Sequence, residues 1–323
     1  MALAGIILSI FGFQSTVSAS RNLNFFEWTT MYNKTYTSFN EYNLRKTIYD
    51  DNVEKINVHN LNNDDWKMAV NKFADLTALE FKNMYSYCNM YHRETPLDTF
   101  VYSTALPASV NWTSVGAVTP VKNQGQCGSC WAFSTTGSVE GVHYLKTNKL
   151  VSVSEQQLVD CSSAEGNMGC NGGLMDYGFQ YILDNKGIGS EASYPYTATD
   201  GTCKKVPSVV TITGFTDVPS NSETALMTAV AQQPVSVAVE ADQNSFQFYS
   251  SGVMTAACGT SLDHGVLAVG YGTVNSTRQD YWIVKNSWGA DWGMNGYILL
   301  GRGAKFSSAG QCGIQMQPSY PSN

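Results

Sequence analysis

The sequence predicts an α+β protein of two lobes preceded by a helical segment, and three observations carry that reading. Composition changes near residue 100: before it the chain is rich in Asn, Tyr, Lys and Glu at helical spacing, and after it come Gly, Val and Ser. Phe25, Trp28, Tyr32 and Tyr36 recur at steps of three and four, as one face of a helix would. From about Val206 the pattern changes to β-branched and aromatic runs separated by Gly, Pro and Asn. A helical first half and a β-rich second half predict an α+β arrangement. The length of 323 residues suffices for a sizeable core, and 43% hydrophobic with 14% charged residues describes a globular chain.

The elements follow in order. Leu3 to Phe13 is an apolar run too short to span a bilayer; with Val17 and Ala19 it reads as a signal peptide over 1–19. Phe25, Trp28, Tyr32 and Tyr36 lie on one helical stripe, and Glu41, Arg45, Ile48, Asn52, Ile56 and Asn60 on a second. The second stripe mixes polar with apolar residues, so its polar members are expected to meet partners. His92 to Pro107 has no period and reads as an extended linker. "CWAFSTTGSVEGVHYLKTN" predicts a helix with Phe133, Val139, Val142 and Leu145 facing inward. Gly137 and Gly141 on that helix suggest close packing against a neighbour. "EQQLVDC" and "GLMDYGFQYILDNKG" read as shorter helices; "VVTITGF", "PVSVAVEA", "HGVLAVGYG", "DYWIVKNSWG" and "NGYILLGR" read as strands. No repeat or low-complexity tract interrupts them.

A net charge of −7 and a pI near 5.1 leave no electrostatic footprint for nucleic acid. Secretion would permit disulfides among the eight cysteines, Cys88, Cys127, Cys130, Cys161, Cys170, Cys203, Cys258 and Cys312. Sequons at Asn33, Asn111 and Asn275 are compatible with that route.

The stretch "KNQGQCGSCWAFS" places two cysteines three positions apart. Such a pair can be a redox couple, half of a metal site, half of a disulfide or a nucleophile with a neighbour. A thioredoxin-like couple needs a βαβ context, and a zinc site a second close Cys/His pair; neither is present. A nucleophilic thiolate needs a base, and the base an orienting group. Of the four histidines, His59 and His92 precede or open the linker. His143 would lie about 20 Å along the helix that Cys130 starts. His264 remains, at the entry to a strand, with Asn286 at the end of another as the group that could accept from its ring. Cys130 at a helix start would feel the positive end of the dipole, which lowers a thiol pKa.

"QGQCGSCWAF", "CNGGLMDYGF", "YPY", "DHGVLAVGYG" and "KNSWGADWGMNGY", in this order and spacing, resemble the papain family of cysteine proteases, and within it the cathepsin L-like group. The resemblance implies a papain-like fold, with a helical lobe over roughly 106–216, a β-barrel-like lobe over roughly 217–323, and a cleft between. It makes Cys130 the nucleophile, His264 the general acid/base, Asn286 the orienter of the ring and Gln124 a donor to the oxyanion with the Cys130 N–H. Trp288 would shield the Asn286–His264 bond. It also implies disulfides Cys127–Cys170, Cys161–Cys203 and Cys258–Cys312, leaving Cys130 for chemistry. Residues 20–105 resemble the group's inhibitory propeptide, with Glu41, Arg45, Ile48, Tyr49, Asn52, Ile56 and Asn60 as its helical motif and Asn71, Phe73 and Asp75 in a second, where Ala69 replaces a Gly. The mature enzyme would then span 106–323.

By the same resemblance Gly172 and Gly173 pair with an extended substrate backbone. Leu174, Met175, Ala238, Leu262 and Gly265 line the pocket for the second residue before the scissile bond, and Gln317 is its floor, favouring Leu over large aromatics. No insertion blocks the cleft, which implies an endopeptidase rather than an exopeptidase; the presence of Cys130, His264, Asn286 and Gln124 argues against an inactive binding homologue. The expected partners are protein and peptide substrates, the chain's own propeptide and cystatin-type inhibitors, with no cofactor, no metal and no membrane span after signal removal. A monomer is expected, routed through the secretory pathway to a lysosome-like acidic vacuole or outside the cell. Self-processing at acid pH is expected as carboxylates holding the propeptide protonate.

Overall fold

The computed structural model describes residues 23–85, 100–103 and 105–323. The expected signal peptide, Cys88 and most of the expected linker lie outside them. The described residues up to Thr35 form one unit, and Tyr36–Asn323 form a second.

In the first unit, α1 (Phe25–Met31) begins at a reciprocal cap: the Asn24 side chain accepts from the Glu27 N–H, and the Glu27 carboxylate accepts from the Asn24 N–H, each at 3.0 Å. The stripe expected to reach Tyr36 ends sooner. Tyr32 is already the C-cap residue, and Asn33 at φ +50° turns the chain out of the helix.

The second unit opens with α2 (Phe39–Asn62), capped by Ser38. Its mixed stripe is satisfied as expected. Arg45 donates to the Asp75 carbonyl (3.0 Å) and pairs with Glu80 (2.9 Å); Asn52 donates to the Ala74 and Leu76 carbonyls, and Asn60 to that of Met68. The helix thus serves as a template for the chain that follows: β1 (Trp66–Met68), a loop through residue 77, and α3 (Ala78–Tyr85).

Two cores organise the remainder. One is helical, built by α4 (Cys130–Thr147), α5 (Glu155–Cys161) and α6 (Met175–Asp184). Gly137 and Gly141 do mark close approach: a Cβ on them would sit 2.8 Å from Leu267 Cδ2 and 2.6 Å from Pro234 Cγ. Leu145, expected inward, is 40% exposed, because only the first thirteen residues of α4 run through the core.

The other core packs a sheet in the order β1 (Trp66–Met68), β5 (Tyr249–Met254), β8 (Tyr297–Arg302), β7 (Asp280–Lys285), β6 (His264–Thr273), β4 (Val235–Val239), β9 (Ser319–Ser322) and β3 (Gly214–Asp217), with β2 (Val110–Asn111) also on β6. Pairing is antiparallel except between β5 and β8. The helices α7 (Glu223–Val230) and α8 (Asn244–Gln247) complete it. Of the expected strand "VVTITGF" only its last residues pair as β3, since Val210 and Ile212 are drawn into the helical core. The edge pair β1–β5 was not legible beforehand. It requires glycine at 252, where φ is +81° and a Cβ would lie 2.3 Å from the Asp65 carbonyl. Disulfides join Cys127 to Cys170, Cys161 to Cys203 and Cys258 to Cys312. No described helix is long and apolar enough to cross a membrane.

Candidate active site

Cys130 is the first residue of α4, is 1% exposed and takes part in none of the three disulfides. No acidic residue occupies the first turn of α4, so nothing offsets the positive end of its dipole at the thiol. The helix and β6 run side by side in the same sense. One turn past Cys130, the Ser134 hydroxyl donates to the Val266 carbonyl at 2.6 Å, and Gly137 packs on Leu267. The start of the helix is thereby brought to the start of the strand, where His264 sits.

His264 is fully buried, and its Nε2 lies 2.7 Å from Asn286 Oδ1. The orientation of Asn286 is set by its neighbour: the same Oδ1 accepts from the Ser287 N–H at 2.8 Å. An oxygen that accepts from Ser287 also accepts from the ring, so Nε2 carries the hydrogen and Nδ1 keeps a lone pair. Nδ1 is buried and makes no hydrogen bond among the described residues. Burial pushes the His264 pKa down to about 4, against an upward pull from Asn286. Trp288 stacks on the imidazole, with ring centres 4.6 Å apart, and is itself fully buried.

Gln124 is buried and held at both ends of its amide. Its Oε1 accepts from the Ser287 hydroxyl (2.6 Å) and its Nε2 donates to the Cys127 carbonyl (3.1 Å). Its backbone N–H donates to the Ser287 carbonyl, which joins residues 122–124 to the chain leaving β7. Tyr196, which the sequence did not point to, ties this loop to the helix start. Its hydroxyl donates to the Gln124 carbonyl at 2.8 Å and lies 2.6 Å from Ser129 Oγ.

Behind these residues is an internal charge network that sequence reasoning also missed. Lys122 Nζ lies 2.6 Å from Glu155 and 3.1 Å from Glu140; Thr119 donates to Glu140, and Lys285 donates to Thr119. Burial pushes the Glu155 carboxyl up to about 8, with Lys122 pulling the other way, and pushes the Lys285 ammonium down to about 8. Each lysine stands just before a site residue, Gln124 or Asn286. A lysine ending the otherwise apolar run "YWIVK" was the available signal.

The residues expected around the substrate divide into groups. Met175 and Ala238 share the helical core with Cys130, and Leu262 packs against it; Gly265 faces Ala238 across β4–β6. Leu174 is buried, and its N–H donates to Asn167. Gln317 is half-buried between Met316 and Pro318. Gly172 has φ +108°, and a Cβ on Gly173 would meet Asn167 Oδ1 at 2.2 Å, so both glycines are demanded by the turn itself.

Residues 71–85 cover the site. Phe73, Phe81 and Tyr85 contact Trp288 edge-on, with centres at 5.8, 5.1 and 6.5 Å. Asn71 donates to the Gln247 carbonyl, and Gln247 donates back to that of Phe73. Lys72 reaches Asp291 (2.7 Å) and the Trp288 carbonyl (2.5 Å), and Lys82 reaches Asp242 (2.6 Å).

Comparison with known proteins agrees with this arrangement. Residues 106–322 match the model of the papain family cysteine proteases, and residues 25–81 match the cathepsin propeptide inhibitor domain (I29). Vignain of Ricinus communis is 52% identical over 298 residues, covering 88% of this chain and 81% of its own. The KDEL-tailed cysteine endopeptidase CEP2 of Arabidopsis thaliana is 50% identical over 297 residues, with the same two coverages. Among solved structures, the proform of the ragweed pollen cysteine protease Amb a 11 superposes with a TM-score of 0.85 at 42% identity, over 91% of this chain and 92% of that one. A recombinant stem bromelain precursor gives 0.84 at 42% identity, over 92% and 97%. A site of this geometry, closed by its own N-terminal segment, in a chain so similar to known proforms leads to one assignment: the chain belongs to the papain family of cysteine proteases and is a cysteine endopeptidase carrying its inhibitory propeptide.

Proposed function

We propose that Cys130 is the nucleophile of this endopeptidase and that Nδ1 of His264 handles its proton. The observation that carries the reading is the tautomer imposed through Ser287 and Asn286, which leaves a buried lone pair on Nδ1. The Cys130 thiol gives its proton to Nδ1, and the thiolate attacks the carbonyl carbon of the scissile bond. The carbonyl electron pair moves onto oxygen, where Gln124 Nε2 and the Cys130 N–H donate to it. Collapse of this intermediate breaks the C–N bond, and the departing amine takes the proton from His264. Water, deprotonated by Nδ1, then attacks the thioester; the second collapse releases the acid and returns the thiolate. Trp288 keeps water from the His264–Asn286 bond.

Residues 1–19 serve as signal peptide, 20–105 as removable propeptide and 106–323 as mature enzyme. A secretory route to an acidic vacuole suits this chemistry, and the KDEL-tailed name of the Arabidopsis relative supports such a route. The mature form acts as a monomer on protein and peptide substrates and is open to cystatin-type inhibitors. Met175, Ala238, Leu262 and Leu174, facing Gly265 with Gln317 as floor, select Leu over Phe two residues before the cut; Gly172 and Gly173 hold the substrate backbone. Activation follows acidification, with one change to the expectation: Glu41 of the α2 stripe accepts from Thr37 and Glu80 of α3 pairs with Arg45, both within the propeptide, while Asp242 and Asp291 meet its lysines from the enzyme.

The test is kinetic. Cys130→Ala should abolish thiol-inhibitor-sensitive hydrolysis of a Leu-containing peptide, and Gln124→Ala should lower kcat by about 10²–10³ with KM little changed. Retained activity in Cys130→Ala overturns the reading.

A further inference from the structure

The propeptide does more than cover the site: it shows what the surrounding surface binds. Two apolar groups meet at His264. Cys130, Met175 and Ala238, with Leu262, belong to the first; Trp288, Phe246 and Trp292, covered by Phe73 and Phe81, belong to the second. With the pocket for the second residue before the cut in the first group, the Trp288 side faces the departing half of the substrate. Next to Phe81 and Phe73, which cover Trp288, the propeptide seats Lys82 on Asp242, close to Asp263 and Glu240, and Lys72 on Asp291.

Lys82 Nζ is bonded to Asp242 at 2.6 Å and also feels Asp263 and Glu240; the bond and these charges together raise its pKa. Lys72 Nζ bridges Asp291 and the carbonyl of Trp288 itself. Most of these acids are already anchored by the fold. Glu240 accepts from the Ser261 N–H and from Gln243, Asp242 from Gln243, and Asp263 from the Ala241 N–H. Anchored carboxylates lose little freedom when a cation arrives. Asp263 adds a separate indication: it is 7% exposed, and its Oδ2 makes no hydrogen bond among the described residues. A buried carboxylate oxygen with spare acceptor capacity beside a seated ammonium marks a place where a cation is received.

We infer that, once the propeptide is gone, Asp242, Asp263, Glu240 and Asp291 form a recognition surface for Lys or Arg on the leaving-group side of the scissile bond. The inference rests on Cys130 as nucleophile and on removal of the propeptide. Lys72 and Lys82 act as an internal copy of the substrate's basic side chains, and the surface that restrains the zymogen becomes a specificity surface in the mature enzyme. Burial holds the Asp263 carboxyl up near 8, with Lys82 pulling the other way.

The experiment takes the full chain, activated by its own processing, as wild type and as the Asp242→Asn/Asp291→Asn double variant. Peptides share Leu two residues before the cut and carry Lys, Gln or Glu one, two or three residues after it; product masses locate the cut. In wild type at low salt, kcat/KM for the best Lys peptide should exceed that for its Gln counterpart about two- to fivefold, as one half-exposed ion pair allows. Glu should fall below Gln. The Lys advantage should fade at about 0.5 M salt, where the screening length is only a few ångströms, and should be lost in the double variant. Equal rates for Lys and Gln in wild type overturn the inference, as does a Lys advantage that survives both high salt and the double variant. Failure to cleave any of the peptides overturns the catalytic reading, and the inference with it.

Discussion

The molecule uses lysine–carboxylate pairs in two places on either side of the same histidine, and they differ in what surrounds them. Beneath the site, Lys122 lies between Glu140 and Glu155, carboxylates that are each only 1% exposed, with Thr119, Thr136 and Lys285 filling out the hydrogen bonds. Above it, Lys72 and Lys82 meet Asp291 and Asp242 in pairs where one partner stays 51% or 40% exposed. The first set is enclosed and cannot separate without stranding charge. The second can exchange each partner for water. Identical chemistry therefore serves as a permanent fastening in one place and a releasable latch in the other, and solvent access makes the difference.

Removing one lysine from each set should separate the two most widely. In a Cys130→Ala background, which prevents self-digestion, Lys122→Met should cost about 3–5 kcal/mol in urea unfolding, because the buried Glu140 carboxylate and the Glu155 carboxyl lose their common partner. A loss no larger than that of Lys72→Met would mean that enclosure is not what separates the two sets.

Acid should act on the latch side through His264. In the folded chain its pKa is near 4, and in the unfolded chain near 6.5, so the unfolded state binds more protons between these values. Stability therefore falls as pH drops from about 6.5 to 4, by up to about 3 kcal/mol from this group. Asp263 works in the opposite sense. Its raised pKa means the closed chain binds the extra proton, and the closed state gains as pH falls from about 8. Urea midpoints of the Cys130→Ala zymogen measured across this range, with and without His264→Gln, isolate the histidine contribution. Equal slopes for the two proteins would remove His264 from the pH response.

The smallest effect belongs to the latch itself. Lys72→Met or Lys82→Met should each loosen the propeptide by about 0.2–1 kcal/mol and speed self-processing correspondingly in a gel time course at acid pH. Unchanged processing in both variants would leave the restraint to the Phe73–Phe81–Trp288 contact, the Asn71–Gln247 bonds and the β1–β5 pairing.

How much of this was legible beforehand follows the range of the interactions. The α2 stripe, the close-packed Gly137 and Gly141, and the long strands β6, β7 and β8 announce themselves through periodicity over six or more residues. His264 emerged because a helix of known rise puts His143 out of reach of Cys130. The short pairs were silent: β1 and β9 have three and four residues, β9 contains a proline, and β5 is broken by Gly252. Such elements exist only because a distant partner supplies the other half of the ladder. The same applies to Lys72, Lys82 and Lys122, whose carboxylates lie 219, 160 and 18 or 33 positions away. Leu145 misled for a related reason, since periodicity gives the face of a helix and not where the core ends along it.

The edge contributed by β1 has one further consequence. When the propeptide leaves, β5 loses the partner that met Trp66, Lys67 and Met68 and becomes an outermost strand. Unpaired strand edges invite other chains to add on and so seed aggregation. This one is a poor template: its pairing with β1 is already irregular between Lys67 and Met68, and Gly252 bends it through a conformation that other residues avoid. A strand that can be capped for only three residues releases its cap readily and offers little to a second molecule, so one local distortion favours both activation and solubility afterwards.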